Sequence, residues 1–219
     1  MTPIKIGITG GIGSGKSVVS QLLQIFDIPV YDCDAEAKRL NVTDPIIRQQ
    51  LIALIGPEVY SNNSHSKIEE VPFKAREDII INKSVLANYL FASADHVKQV
   101  NSIIHPRVKE DFKLWVQQHS ICKFVAMESA ILFEAGFQDV VDEVLMIDAP
   151  VDVRIIRAMQ RDQASQEAIE KRIRQQMDDE EKKSRSHYVV SNDGKTPLIP
   201  QVLDFIDMLC EKYCVSSHR

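Results

Sequence analysis

The sequence predicts an α/β fold, a parallel sheet covered by helices, and three observations predict it. Short β-branched runs alternate with stretches whose apolar residues recur at helical spacing. The first run, IKIGIT at residues 4–9, passes directly into a glycine-rich loop and then a helical pattern. Finally, 219 residues with 44% hydrophobic and 26% charged content suffice for a full core of ordinary globular composition.

Taken in order, IKIGIT reads as a buried strand. Beyond the loop, residues 16–26 place Val19, Leu22, Leu23 and Phe26 at helical spacing. IPVYD (28–32) is a second strand, and DAEAKRL (34–40) opens a helix with Asp34 as its N-cap. From 44 to 119 the pattern is mostly helical. DPIIRQQLIALIG starts on an Asp-Pro signal and stops at Gly56, and SNNSHSK (61–67) is a polar loop. Helical stretches follow around SVLANYLFA and HVKQVNSII. HPRVKEDFKLWVQQH (105–119) is a longer amphipathic helix, begun by His105, which Pro106 holds out of the αR region. Trp115 belongs to the core of that helix.

Strand signals return at CKFVAME (122–128) and EVLMID (143–148). PVDVRIIRAMQRD (150–162) is a helix with Pro near its first turn, and SQEAIEKRIRQQM (165–177) is another with a half-formed capping box at Ser165. HYVVSNDG (187–194) is a last strand and turn, before a closing helix in PLIPQVLDFIDMLCEKY. The helical stretch between about 41 and 119 is too long for one crossover. It reads as an insertion capping the C-terminal edge of the sheet, where open α/β folds bind ligands. No Pro/Gly linker separates it, so one composite unit is expected.

A net charge of −5 argues against a general nucleic-acid or membrane-surface binder. Cys33, Cys122, Cys210 and Cys214 form no C-x-x-C pair and read as idle thiols of a reducing compartment. The N-terminal residues contain no long apolar stretch and no window is long enough for a membrane span, so a cytoplasmic location is expected.

The chemistry begins in GITGGIGSGKS (7–17), which holds five of the chain's 8 glycines. Residues 10–17 fit G-x-x-x-x-G-K-[ST] between a strand and a helix. Glycines admit positive φ and lack Cβ atoms, so successive N–H groups can turn inward around phosphate oxygens. Gly11, Ile12, Gly13, Ser14, Gly15, Lys16, Ser17 and Val18 are the expected nucleotide cradle. Lys16 can reach the β- and γ-phosphates of a nucleotide, and the Ser17 hydroxyl can bind Mg²⁺. A dinucleotide loop is disfavoured, because Lys-Ser directly after the last glycine is a phosphate-and-metal arrangement. This fold is therefore of the P-loop NTPase type.

Such a loop specifies the donor and leaves the acceptor open. Asp32 and Asp34 in YDCDAEA share a face of an extended segment at the end of the second strand. One can support the metal's water shell while the other takes the acceptor's proton, and a bare helix N-cap at Asp34 stands beside that reading. Arg154, Arg157 and Arg161 lie roughly on one helix face, followed by Arg172, Arg174, Lys182, Lys183 and Arg185. As a set these read as a solvated charged face paired with Asp162, Glu167 and Glu170, with Arg161 the member favoured for a role at the transferring phosphate. His105 is a candidate contact for a ligand phosphate or ribose, or equally a packing residue.

These residues resemble the dephospho-CoA kinase family. The resemblance runs through GITGGIGSGKS, YDCDAEAKRL, VNSIIHPRV, ESAILFEAGF, AMQRD, KRIRQQM and VVSNDG, and so covers most of the chain. It implies ATP-dependent phosphorylation of the ribose 3′-hydroxyl of dephospho-CoA, the final step of coenzyme A synthesis, without a nucleic-acid or membrane partner. It also implies a nucleotide-binding core at about 1–40, 120–150 and 186–219, a helical CoA-binding insertion at about 41–119 and a small helical lid at about 151–185. Residue by residue, it implies Asp34 as the base, Arg161 as the lid arginine, and Thr9, His105 and Arg107 on the acceptor side. Lys16 acts on the phosphates, with Ser17 and Asp32 on the metal. The chain departs from the family pattern at Val18, where the family usually has Thr. It departs again at Cys33, at Ser129–Ala130–Ile131–Leu132, and at Ile81-Asn82-Lys83 in place of Leu-Asp-Arg. Two rivals stand beside this reading. One is another small-molecule P-loop kinase. The other is a GTPase-like switch, whose Asn-Lys-x-Asp is matched only by INKS (81–84), without the aspartate.

Overall fold

A computed structural model describes residues 2–62 and 79–213, which form two compact units, 2–33 with 112–213 and 34–62 with 79–111. The first unit holds β1 (Ile4–Thr9), α1 (Lys16–Ile25), β2 (Val30–Asp32), β5 (Phe124–Glu128), β6 (Glu143–Asp148), α6 (Val151–Asp162), α7 (Gln166–Ile173), α8 (Asp179–Arg185), β7 (Tyr188–Ser191) and α9 (Leu198–Lys212). The second holds most of α2 (Cys33–Thr43), α3 (Pro45–Ile55), β3 (Tyr60–Asn62), β4 (Ile79–Ile81) and α4 (Lys83–Ala92). The long α5 (Ala94–Gln118) runs from the second unit into the first.

The main sheet has the order β2-β5-β1-β6-β7, and every neighbouring pair is parallel. Its strands are near-continuous apolar runs because helices cover them. Ile6, Ile8, Ala126, Leu145, Ile147 and Val190 pack with Val19 and Leu23 of α1 and Val202, Phe205 and Leu209 of α9. Fully burying one such side chain contributes about 1.5–3 kcal/mol. Parallel pairing brings the C-terminal residues Thr9, Asp32, Glu128, Asp148 and Ser191 to a common edge, with Asp32 opposite Glu128 and Asp148 opposite Ser191 in register. At the opposite end of β6, buried Glu143 accepts from Lys212 Nζ and Tyr213 Oη, both at 2.5 Å, and fastens the end of α9.

In the second unit the Asp-Pro signal is realised: Asp44 caps α3, its Oδ1 accepting from the N–H groups of Ile46 (2.8 Å) and Ile47 (3.0 Å), and Gly56 ends the helix. The antiparallel ribbon β3–β4 was not expected from the helical pattern. Its three-residue strands are too short for a period of two to register. Ser61 and Asn62 of the expected loop belong to β3; the rest of that loop lies outside the described residues, as does Cys214.

Further expectations are corrected. Asp34 lies in the first turn of α2 rather than at its N-cap, because the helix already starts at Cys33. His105 does not begin a helix, since α5 is continuous from Ala94 with Pro106 inside it. Proline removes one ladder bond and costs about 3 kcal/mol in a helix interior. Here the buried stripe Val100, Ile104, Val108, Phe112 and Val116 recurs every fourth residue on both sides of the proline and offsets that loss. The helix opened at Ser165, whose Oγ accepts from Ala168 N–H at 3.4 Å, ends at Ile173 rather than near Met177. Lys182, expected on a solvated face, is fully buried. Trp115 does sit in an aromatic cluster with Tyr31 and Phe112.

Candidate active site

The glycine-rich loop leaves the buried end of β1 and enters α1. Gly13 (φ 78°) and Gly15 (φ 94°) occupy the left-handed region, and Gly15 serves as the N-cap of α1. No side chain caps this helix, so the first-turn N–H groups and the positive end of the helix dipole face the loop. Lys16 Nζ donates to the carbonyls of Gly10 (3.0 Å) and Gly11 (3.2 Å). Ser17 and Val18 are exposed in the first turn. Thr9 and Ser14 are buried, and neither hydroxyl has a hydrogen-bond partner among the described residues.

The loop is held by residues that the sequence reading did not single out or assigned to solvent. Arg154 of α6 is 1% exposed, and a Cβ on Gly11 would overlap its guanidinium. That guanidinium pairs with Asp179 of α8 at 2.6 Å. Asn192, following β7, donates from Nδ2 to the Ser14 carbonyl at 2.7 Å, against the face of Gly15 that lacks a Cβ. Arg157 in turn donates to the Asn192 carbonyl at 2.9 Å. Gln176, just before α8, accepts at Oε1 from Ile12 N–H at 3.0 Å. Glu128, at the end of β5, accepts from Ser20 of α1 at 2.6 Å. Strand-end position is the signal that could have found Glu128; Arg154 read as one of a solvated set, and Gln176 and Asn192 carry no comparable local signal.

Arg161 is seven residues beyond Arg154 on α6, about 10 Å along a helix axis. It is exposed and pairs with Asp162 at 2.7 Å, an acid shared with Arg172. The Arg161 hydrogen bond holds the Asp162 carboxyl below its ordinary range. Asp32 ends β2 and is exposed.

In the second unit Asp34 is exposed in the first turn of α2. Arg107 donates from Nε and Nη2 to Asp44 Oδ2, both at 2.8 Å, and also pairs with Glu110. Burial alone would raise the Asp44 carboxyl, but the Ile47 N–H and the Arg107 guanidinium outweigh it and hold it low. Burial, assisted by Lys109, lowers the His105 imidazole below its usual value, which favours the neutral ring. The Asn82 side chain, where the family pattern has an acid, caps α4 by accepting from Val85 N–H at 3.3 Å.

No group of three or more His, Cys, Asp or Glu capable of holding a metal occurs among the described residues. Among the described residues no helix is long and apolar enough to cross a membrane.

Comparison with known proteins fits this geometry. The dephospho-CoA kinase family model matches residues 4–197. A dephospho-CoA kinase of Bacteroides fragilis is 51% identical over 209 residues, 95% of this chain and 94% of that protein. That of Porphyromonas gingivalis is 42% identical over 212 residues, 95% of this chain and 96% of that protein. A crystal structure from Thermus thermophilus superposes with a TM-score of 0.75 at 29% identity, covering 95% of this chain and 98% of that one. The Campylobacter jejuni dephospho-CoA kinase shares the fold, with a TM-score of 0.62 at 18% identity over 95% of this chain and 98% of that one. With a nucleotide loop at the C-terminal edge of a parallel sheet and homology along nearly its whole length, the chain belongs to the dephospho-CoA kinase family.

Proposed function

We infer that the chain transfers the terminal phosphate of ATP to the ribose 3′-hydroxyl of dephospho-CoA, giving coenzyme A and ADP. The observation that carries this reading is the uncapped N-terminus of α1, with its glycine loop and Lys16, in a chain half identical to dephospho-CoA kinases over 95% of its length.

The loop from Gly11 to Val18, with the Ile12 N–H held by Gln176, and the Lys16 ammonium bind the phosphates and draw charge off the transferring group. Lys16 exchanges its loop carbonyls for phosphate oxygens at little cost, since both are acceptors. Asp34 takes the 3′-hydroxyl proton as that oxygen bonds to the γ-phosphorus and the bond to the β–γ bridging oxygen breaks. Arg161, on a mobile-length side chain at the end of α6, offsets charge on the phosphates. Thr9, His105 and Arg107 serve the acceptor. For Thr9 the support is its buried hydroxyl without a partner among the described residues, a group costly to leave unmet. Neutral His105 can accept or donate a hydrogen bond without adding charge. Mg²⁺ would be held by the Ser17 hydroxyl, with Asp32 supporting its water, and would supply charge neutralisation between the phosphates. The reaction belongs in the cytoplasm and needs neither nucleic acid nor membrane.

The test is phosphate transfer from ATP to dephospho-CoA, with adenosine, AMP and pantetheine as control acceptors. Product is expected with dephospho-CoA alone; background rates with all four acceptors sink the reading.

A further inference from the structure

Residues 176–183 form a strap across the phosphate loop and the two strand ends beside it. Backbone turns fix its start, with Gln175 N–H donating to Arg172 O (3.2 Å) and Gln176 N–H to Ile173 O (3.0 Å). From there the Gln176 carboxamide spans two elements. Its oxygen accepts from Ile12 N–H at 3.0 Å, and its nitrogen donates to Ala130 O at 3.4 Å. Buried Lys182 donates to the same Ala130 carbonyl at 3.2 Å and pairs with Glu134 at 3.3 Å. Met177 N–H also donates to Glu134, at 2.8 Å. Asp179 holds Arg154 against Gly11, and Lys183 pairs with Asp148 at 3.0 Å.

The end of the loop that the strap touches can be identified. In this motif the lysine serves the β- and γ-phosphates. Lys16 Nζ lies on the carbonyls of Gly10 and Gly11, which marks residues 10–12 as the terminal-phosphate end. The helix N-terminus at Gly15 marks the other end. Gln176 therefore binds the loop where ATP differs from ADP.

We propose that Gln176 is a positioning residue for the terminal phosphate: by clasping Ile12 N–H and Ala130 C=O it sets the 10–12 end of the loop, and through it the preference for ATP over ADP. A side chain that merely stabilised the strap would affect both nucleotides alike. Gln176 is neutral, so it holds the backbone without repelling a phosphate; a carboxylate at the same place would repel the γ-phosphate most.

The experiment measures affinity of the full chain for ADP and for a non-hydrolysable ATP analogue, in wild type, Gln176→Ala and Gln176→Glu. No acceptor is involved, so the outcome is independent of whether dephospho-CoA is the substrate. The loss of one such clasp is expected to cut the ATP-analogue to ADP affinity ratio about fivefold to tenfold in Gln176→Ala. A larger cut is expected in Gln176→Glu. An unchanged or increased ratio in a folded variant overturns the proposal. Should Gln176→Ala fail to fold, Gln176→Leu, of similar size but unable to accept from Ile12 or donate to Ala130, decides it by the same ratio. If both fail to fold, Gln176 is a folding residue and the proposal is wrong.

Discussion

The Arg154 guanidinium pairs with the Asp179 carboxylate at 2.6 Å in the space that a Cβ on Gly11 would fill. Gly11 is thus required by a neighbour rather than by its own backbone angles. Gly11→Ala is expected to cost about 1–3 kcal/mol through overpacking and to weaken ATP binding. Arg154→Ala in the same chain should restore part of the nucleotide affinity, measured by titration alongside chemical denaturation.

Burial decides what the ion pairs contribute. Asp179→Asn leaves the Arg154 charge, 2% exposed, without its partner, and should cost about 3 kcal/mol in urea unfolding. By contrast, Lys98 and Asp95 are 79% and 78% exposed, and Asp95→Asn should change stability by less than about 1 kcal/mol. Equal effects from the two substitutions would contradict this assignment.

Glu143 predicts a stability that depends on pH at both extremes. Burial pushes its carboxyl up, but Lys212 and Tyr213 outweigh that and hold it below the ordinary value. A depressed folded-state pKa means the contribution is complete above the unfolded value of about 4.3 and is lost as pH falls through the folded one. The hydrogen bond to Glu143, with burial, pushes the Tyr213 phenol up to about 12. That contribution is complete below about pH 10 and is lost as pH rises through the folded value. Glu143→Gln should flatten the acid limb of a melting-temperature profile and cost about 1–3 kcal/mol at pH 7.

For the chemical step, Asp34→Asn and Arg161→Ala should each lower turnover about 100-fold or more while leaving the fold intact, the range seen on removing one charge-stabilising group. Single-turnover phosphate transfer and circular dichroism together check this. Near-wild-type turnover in Asp34→Asn removes Asp34 as the base.

The phosphate loop, the parallel alternation and the Asp44 cap were legible in the sequence because each depends on neighbours in the chain. Glycine angles, a lysine beside a helix start and a side-chain oxygen two or three residues from its N–H groups are local matters. The β3–β4 ribbon and the continuity of α5 through Pro106 were not legible. The first has strands too short to show a period, and the second runs through a proline that locally signals a helix start.

The order of strands and the surroundings of the loop belong to the tertiary structure. From the sequence, Arg154, Arg157 and Arg161 shared one charged helix face, of which only Arg161 stood out. Folding separates them, placing Arg154 against Gly11, Arg157 on the Asn192 carbonyl and Arg161 on the surface with Asp162. The same holds for Lys182, an ordinary surface lysine by pattern and a fully buried donor to Ala130 in the fold. A nucleotide-phosphate loop could be read from the sequence because its motif is eight consecutive residues, Gly10 to Ser17. Which side chains hold the loop in place was decided only by packing, because Asn192, Gln176 and Arg154 reach it from more than 130 residues away along the chain.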